Sequence, residues 1–226
     1  MKTWQQRLSN NFQTSPVINS IRSMNIAGID YGSKLAGTTV IAHLENGKIQ
    51  FFSSKKNQDA DRFILEWTKK YQPDQVFIDA PLSLPGVYTN NSERDNYFYR
   101  KADLETKAMS PMFLGGLTAR AMQLKTRLLE QNIEVIEIYP SYLADVLQLD
   151  RNLYKKQTEH IPSVVSSLSK SLGLLLSSSQ SPPVSLFSNL PDWHHVDALL
   201  ALISGIRYVK NQHLIFGEPQ EGQIIV

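Results

Sequence analysis

Cysteine is absent from all 226 residues, so neither a disulfide framework nor a Cys-ligated zinc site can hold this fold together. Long apolar runs are missing as well. Nothing approaches the roughly 18 residues of a spanning helix, and the chain reads as soluble and cytoplasmic, with no membrane partner. Charge of one sign is equally scarce: 23 Lys and Arg against 21 Asp and Glu leave +2. That is too near neutral for bulk charge to announce nucleic acid, so such a partner has to be argued from local clusters. G-x-x-x-x-G-K-[ST], G-x-G-x-x-G and G-x-S-x-G do not occur, which removes P-loop enzymes, dinucleotide binders and serine hydrolases.

What is present is an ordinary apolar content of 42%. A chain of this length buries about 70% of the surface that its unfolded form exposes, and needs no staple. The first 23 residues carry Lys2, Arg7 and Arg22, no acid and no apolar core. They read as a polar extension and not as a secretory signal, although a basic, acid-free stretch also suits an organelle transit peptide. Met24 opens the first patterned segment, and residues 24–226 are expected to form a single domain.

N-I-A-G-I-D from Asn25 reads as a strand broken by glycine. G-T-T-V-I-A-H-L and I-Q-F-F-S-S follow as two more strands joined through Asn46-Gly47, a tight-turn pair. Asp59 to Tyr71 sets Phe63, Ile64 and Trp67 at helical spacing, and D-Q-V-F-I-D after Pro73 is a buried-type strand. A helix crossing between strands implies parallel pairing. Residues 82–114 form an insertion without clean periodicity, of the kind that is usually functional. Gly115 and Gly116 then lead into a helix with Leu117, Ala121, Leu124 and Leu128 on one face. I-E-V-I-E-I is a fifth strand closed by Tyr139-Pro140. Residues 160–176 suit a helix, 177–191 are a Ser- and Pro-rich loop, and Asp192 caps a last helix running to about Val209. The order β-β-β-α-β-α-β-α combines a meander with crossover units in one mixed α/β sheet covered by helices.

Asp30 and Asp79 each end an apolar run. On parallel neighbouring strands their carboxylates emerge at one edge, about 5 Å apart. Two like charges so placed need a cation, and hard oxygen donors suit Mg²⁺ or Mn²⁺. Asp197 is the third candidate. His194, Ala201 and Ser204 share its helical stripe, where small residues let the helix approach the sheet. His194 is a candidate further ligand or proton carrier, and Glu137 a candidate for the same rim. Each Asp also has a plain structural role open to it, as a turn cap or a helix-dipole partner.

The segments G-I-D-Y-G-S-K-L-A-G-T, V-F-I-D-A-P-L-S-L-P, R-K-A-D, E-I-Y-P and H-V-D-A-L-L-A together resemble the DUF429 family of predicted ribonuclease H-like nucleases, related to the RuvC resolvases. The likeness spans roughly Met24 to Val209. It implies a ribonuclease H-like fold with helices on both faces of a five-stranded sheet ordered 3-2-1-4-5, and Asp30, Asp79 and Asp197 as metal ligands. His194 and His195 stand where acidic residues often precede the last Asp of the family, which leaves one metal or two open.

Tyr88, Tyr97, Phe98 and Tyr99 interleave with Arg94, Arg100, Lys101 and Lys107 in the insertion. Aromatic faces stack unpaired bases and cations hold phosphates, a combination suited to single-stranded or branched nucleic acid. Tyr97, Arg100 and Lys101 are the substrate-binding candidates, Arg100 for the scissile phosphate. The other reading packs the aromatics over the open sheet end and pairs Arg100 with Asp103 or Asp79. Arg120, Lys125 and Arg127 read as a solvated helix face. His43, His160 and His213 have no companions at ligand spacing and receive no role. The Gly-bearing turn at Ser33 and Thr38 suits either phosphate oxygens or a tight hairpin.

Three functions fit these residues. The first is a metal-dependent phosphodiester hydrolase acting on nucleic acid. The second is a non-catalytic module that keeps the fold and binds a partner. The third is an ATP-dependent phosphotransferase of the actin and sugar-kinase type, for which 226 residues leave little room to build a second closing domain.

Overall fold

The computed structural model describes residues 24–89, 94–176 and 190–226. The polar extension over 1–23 and most of the Ser- and Pro-rich loop therefore lie outside the described residues. Five strands form the main sheet: β1 (Asn25–Asp30), β2 (Val40–Glu45), β3 (Lys48–Ser53), β4 (Gln75–Asp79) and β5 (Glu134–Glu137). Their order is β3-β2-β1-β4-β5. The β1-β2-β3 meander is antiparallel, whereas β4 pairs in parallel with both β1 and β5. Asn46 and Gly47 both take positive φ, 51° and 73°, as a two-residue hairpin turn requires.

The crossovers are α1 (Ala60–Tyr71), between β3 and β4, and α4 (Gly116–Leu129), between β4 and β5. The Asp59 side chain accepts the Asp61 and Arg62 amides and so starts α1. The insertion has more order than its sequence suggests. It holds a 3-10 turn at Gly86–Tyr88 and two short helices, α2 (Lys101–Thr106) and α3 (Pro111–Leu114). After β5 come α5 (Pro140–Val146), α6 (Ile161–Leu176), α7 (Trp193–Val209) and a hairpin of β6 (Ile215–Glu218) and β7 (Gly222–Ile225). The Tyr139-Pro140 step closes β5 as expected. It also opens α5, because proline at the first helical position gives up an amide that the helix would leave unpaired.

Strand side chains alternate between faces, and two apolar layers result. Ile26, Val40, Ala42, Leu44 and Phe77 pack with α5, α6 and α7. Ala27, Ile29, Ile41, Val76 and Ile78 pack with α1 and α4 on the other side. Helix α7 is buried along most of its length and lies directly on β1. A Cβ placed on Gly28 would stand 2.0 Å from the Leu202 amide nitrogen, and one on Gly205 would stand 2.4 Å from the Phe77 ring. Gly28 lets the strand and helix backbones nearly touch, and Gly205 lets the Phe77 ring lie flush on the helix.

Candidate active site

The pleat decides which acidic residues meet. Gly28 and Asp30 share the α7 face of β1, and Phe77 and Asp79 share the same face of β4. Asp30 and Asp79 are partners in the parallel register. Because α7 is seated on Gly28, it delivers Asp197 to the same place, with His194 one turn earlier and Asp192 capping the helix through the His195 amide. Asp30 and Asp197 are buried. Asp79 borders a cleft of about 260 Å³ lined by Pro81, Met109, Leu114, Leu117 and Tyr139. A larger cavity of about 600 Å³ opens along β5 toward Tyr208 and His213, and none of the three aspartates lines it.

Each carboxylate has a different environment. His194 Nδ1 lies 2.8 Å from Asp30 Oδ2. That bond, outweighing partial burial, raises the imidazole pKa and favours the protonated ring. Tyr154 donates to Asp197 Oδ1 at 2.5 Å, and Lys155 Nζ stands 2.7 Å from Asp197 Oδ2. Among the described residues no donor is bonded to the Asp79 carboxyl. Desolvation first, then the charges of Asp30 and Asp197, push its pKa well above the usual range. Burial lowers the Lys155 pKa, but Asp197, Asp79 and Asp30 together more than offset this, and the ammonium stays charged.

In chemical type alone the donors suit a hard dication: three carboxyls carried by two strand ends and a helix, with one lysine beside them. Among the described residues, no group of three or more His, Asp and Glu side chains stands at metal-ligating spacing. Two of the three carboxylates are drawn to Tyr154, Lys155 and His194 instead.

Glu137 lines the same cleft as Asp79 and adds to the charge that raises the Asp79 pKa, but its carboxylate is engaged elsewhere. It ends β5 opposite Ile78, so the pleat turns it to the α1 and α4 side, and Ile138 takes the position level with Asp79. There it receives both guanidinium nitrogens of Arg100, at 2.7 and 2.6 Å, and the Leu82 amide at 2.8 Å. Arg100 is fully buried and also binds Asp103. Burial would lower its pKa, yet the two carboxylates overcome that and raise it. The guanidinium is thus closed to a phosphate, and the structural pairing with Asp103 is the one found. Lys101 points its ammonium to Glu218, 2.9 Å away, on the outer side of α2.

Tyr88, Tyr97 and Phe98 of the insertion face outward, while Tyr99 is half-buried against Phe113. Tyr97 is 60% exposed and Phe98 54%, with Tyr97 edge-on to Tyr88 and Phe98 tilted against Phe113. Arg120 also departs from expectation. It binds Asp61 at 3.0 and 2.7 Å and lies 4.8 Å over the Tyr31 ring, while Tyr31 donates to the same Asp61. With a further bond to the Gly32 carbonyl, it clamps the turn that follows Asp30. In that turn the Gly32 amide is taken by Thr39 Oγ1 at 3.0 Å, which disfavours a phosphate cradle there.

Sequence reasoning passed over Tyr154 and Lys155. They sit in an irregular segment after α5, where no periodicity points to the site. The one available signal was Tyr-Lys-Lys, an aromatic and two cations in an otherwise polar stretch. No protein-family model matches this chain, and a search of curated proteins finds no match.

Proposed function

We propose that the protein is a metal-dependent phosphodiester hydrolase of the ribonuclease H-like kind, acting on nucleic acid. The observation that carries this reading is the register pairing of Asp30 with Asp79 at the ends of parallel strands, with Asp197 brought to them by a helix seated on Gly28. The 3-2-1-4-5 strand order supports the same reading. Asp30, Asp79 and Asp197 would hold Mg²⁺ or Mn²⁺, which when bound supplies water activation and neutralises charge on the phosphoryl group. His194, half-exposed and bonded to Asp30, carries a proton between the site and solvent. Tyr88, Tyr97, Phe98 and Phe113 offer exposed ring faces suited to unstacked bases. Arg100 and Glu137 act as structural supports.

The test is cleavage of RNA, DNA and branched DNA by purified protein in Mn²⁺, with Asp79→Asn as control. The expected loss is about a hundredfold or more, typical of removing one group that stabilises charge in a transition state. Equal cleavage by both proteins would overturn the assignment.

A non-catalytic binding module is the second reading, favoured by the internal partners that Asp30 and Asp197 already have in His194, Tyr154 and Lys155. It predicts nucleic-acid binding that is unaffected by Asp79→Asn and no Mn²⁺-dependent cleavage.

A further inference from the structure

The Lys155 ammonium stands beside the carboxyl cluster. It is 2.7 Å from Asp197 Oδ2 and feels the charges of Asp79 and Asp30 as well. It arrives there by a defined route. The Asp150 carbonyl accepts the Leu153 and Tyr154 amides and its side chain accepts that of Asn152, which turns the chain. Lys155 then adopts a left-handed φ of 57°, unusual for a lysine outside a helix end. Its ammonium lies 5.4 Å from the Tyr154 ring centroid, and the Tyr154 hydroxyl holds the other Asp197 oxygen. The lysine side chain remains 44% exposed, so it has a path out to water, whereas the Asp197 side chain is only 6% exposed. The site thus pairs a solvent-accessible ammonium with a buried carboxylate.

We propose that Lys155 is the built-in counter-ion of the Asp30, Asp79 and Asp197 cluster, and that a divalent cation binds by displacing it. Lys155 thereby sets the metal affinity of the site. This inference rests on the metal reading above and adds to it a competitor carried by the chain itself. With Lys155 in place, three carboxylates face one ammonium, and an incoming dication has to break the Asp197 ion pair before it gains that oxygen. With the ammonium removed, the carboxylates repel one another without relief, and the same dication meets a stronger field and no rival. An arginine at 155 restores the competitor.

The experiment is calorimetric titration of metal-stripped full-length protein with MnCl₂ at neutral pH, comparing wild type, Lys155→Met, Lys155→Arg and Asp79→Asn. Tryptophan emission is followed in parallel, because the Trp193 ring stands edge-on to Tyr154 at 5.7 Å and reports movement of that loop. Lys155→Met is expected to bind Mn²⁺ about tenfold more tightly than wild type, the scale of one lost charge-pair competitor. Lys155→Arg is expected to stay near wild type, and the Mn²⁺-induced change in emission should shrink in Lys155→Met. If Lys155→Met binds no more tightly than wild type while Asp79→Asn abolishes binding, the displacement idea fails and the metal reading survives. If wild type and Lys155→Met both fail to bind Mn²⁺, both fall together.

Discussion

His43 is fully buried in a box made by Phe52, Trp67 and Tyr71, with its ring edge-on to Trp67 at 4.9 Å. Asn25 fixes its tautomer. The Asn25 amide group donates to the Tyr71 and Gln72 carbonyls, so its oxygen is the acceptor for His43 Nε2-H at 2.7 Å, and Nδ1 is left without a partner. A second proton would have to sit on that unpartnered nitrogen. Burial accordingly lowers the pKa, with Glu45 opposing only weakly. Since the unfolded chain binds a proton near pH 6.5 and the folded chain binds it only lower, stability from this residue is complete above about 6.5 and is lost as the pH falls below it. The melting temperature should therefore drop between pH 7.5 and 5.5, and drop less in His43→Gln, whose amide still donates to Asn25. Parallel pH profiles for the two proteins would refute this. The residue scale is also where the sequence was least readable. His43 and Lys155 have ordinary neighbours along the chain, and only the fold gives one an aromatic box and the other three carboxylates.

Among the elements, the contact between α7 and β1 governs the site. Gly28 faces the helix backbone, so a methyl there has no flexible neighbour to push aside. Gly28→Ala should destabilise by at least the about 1–3 kcal/mol typical of overpacking, read from urea unfolding. The proposed cleavage activity should fall further than the folded fraction does, because the displaced helix carries Asp197 and His194 away from Asp30. At this scale the sequence was largely legible. Apolar runs ending in Asp located β1 and β4, the Asn-Gly pair located the meander turn, and Asp192 marked the start of α7. What escaped were elements whose signal was weak or double-edged: α5, hidden behind a proline that both ends a strand and starts a helix, and the β6-β7 hairpin, four residues a side. Glu137 reaches the same cleft as Asp79, yet its tie to Arg100 was not legible.

Over the whole molecule, the insertion is fastened to the sheet by polar contacts. Arg100 ties α2 to β5 through Glu137, and Glu221 in the hairpin accepts the Gly86 and Lys101 amides at 3.1 and 2.6 Å. Arg100→Ala leaves Asp103 and Glu137 buried without their cation, and should cost about 3–5 kcal/mol in unfolding free energy. Arg100→Lys should recover only part of it, since an ammonium cannot make the paired bonds to Glu137. A wild-type unfolding curve for Arg100→Ala would show the cluster to be dispensable. Arg-x-x-Asp was visible in the sequence, but not its purpose: pairing with Glu137 depends on two segments that meet only when α4 has crossed back to the sheet.

Asp30, Asp79 and Asp197 come from the first strand, the fourth strand and the seventh helix. As a growing polypeptide leaves the ribosome, the first two cannot become neighbours until the α1 crossover has docked, and the third is synthesised after almost everything else. A half-made chain therefore lacks the assembled trio of carboxyls, which comes into being only when the architecture is finished.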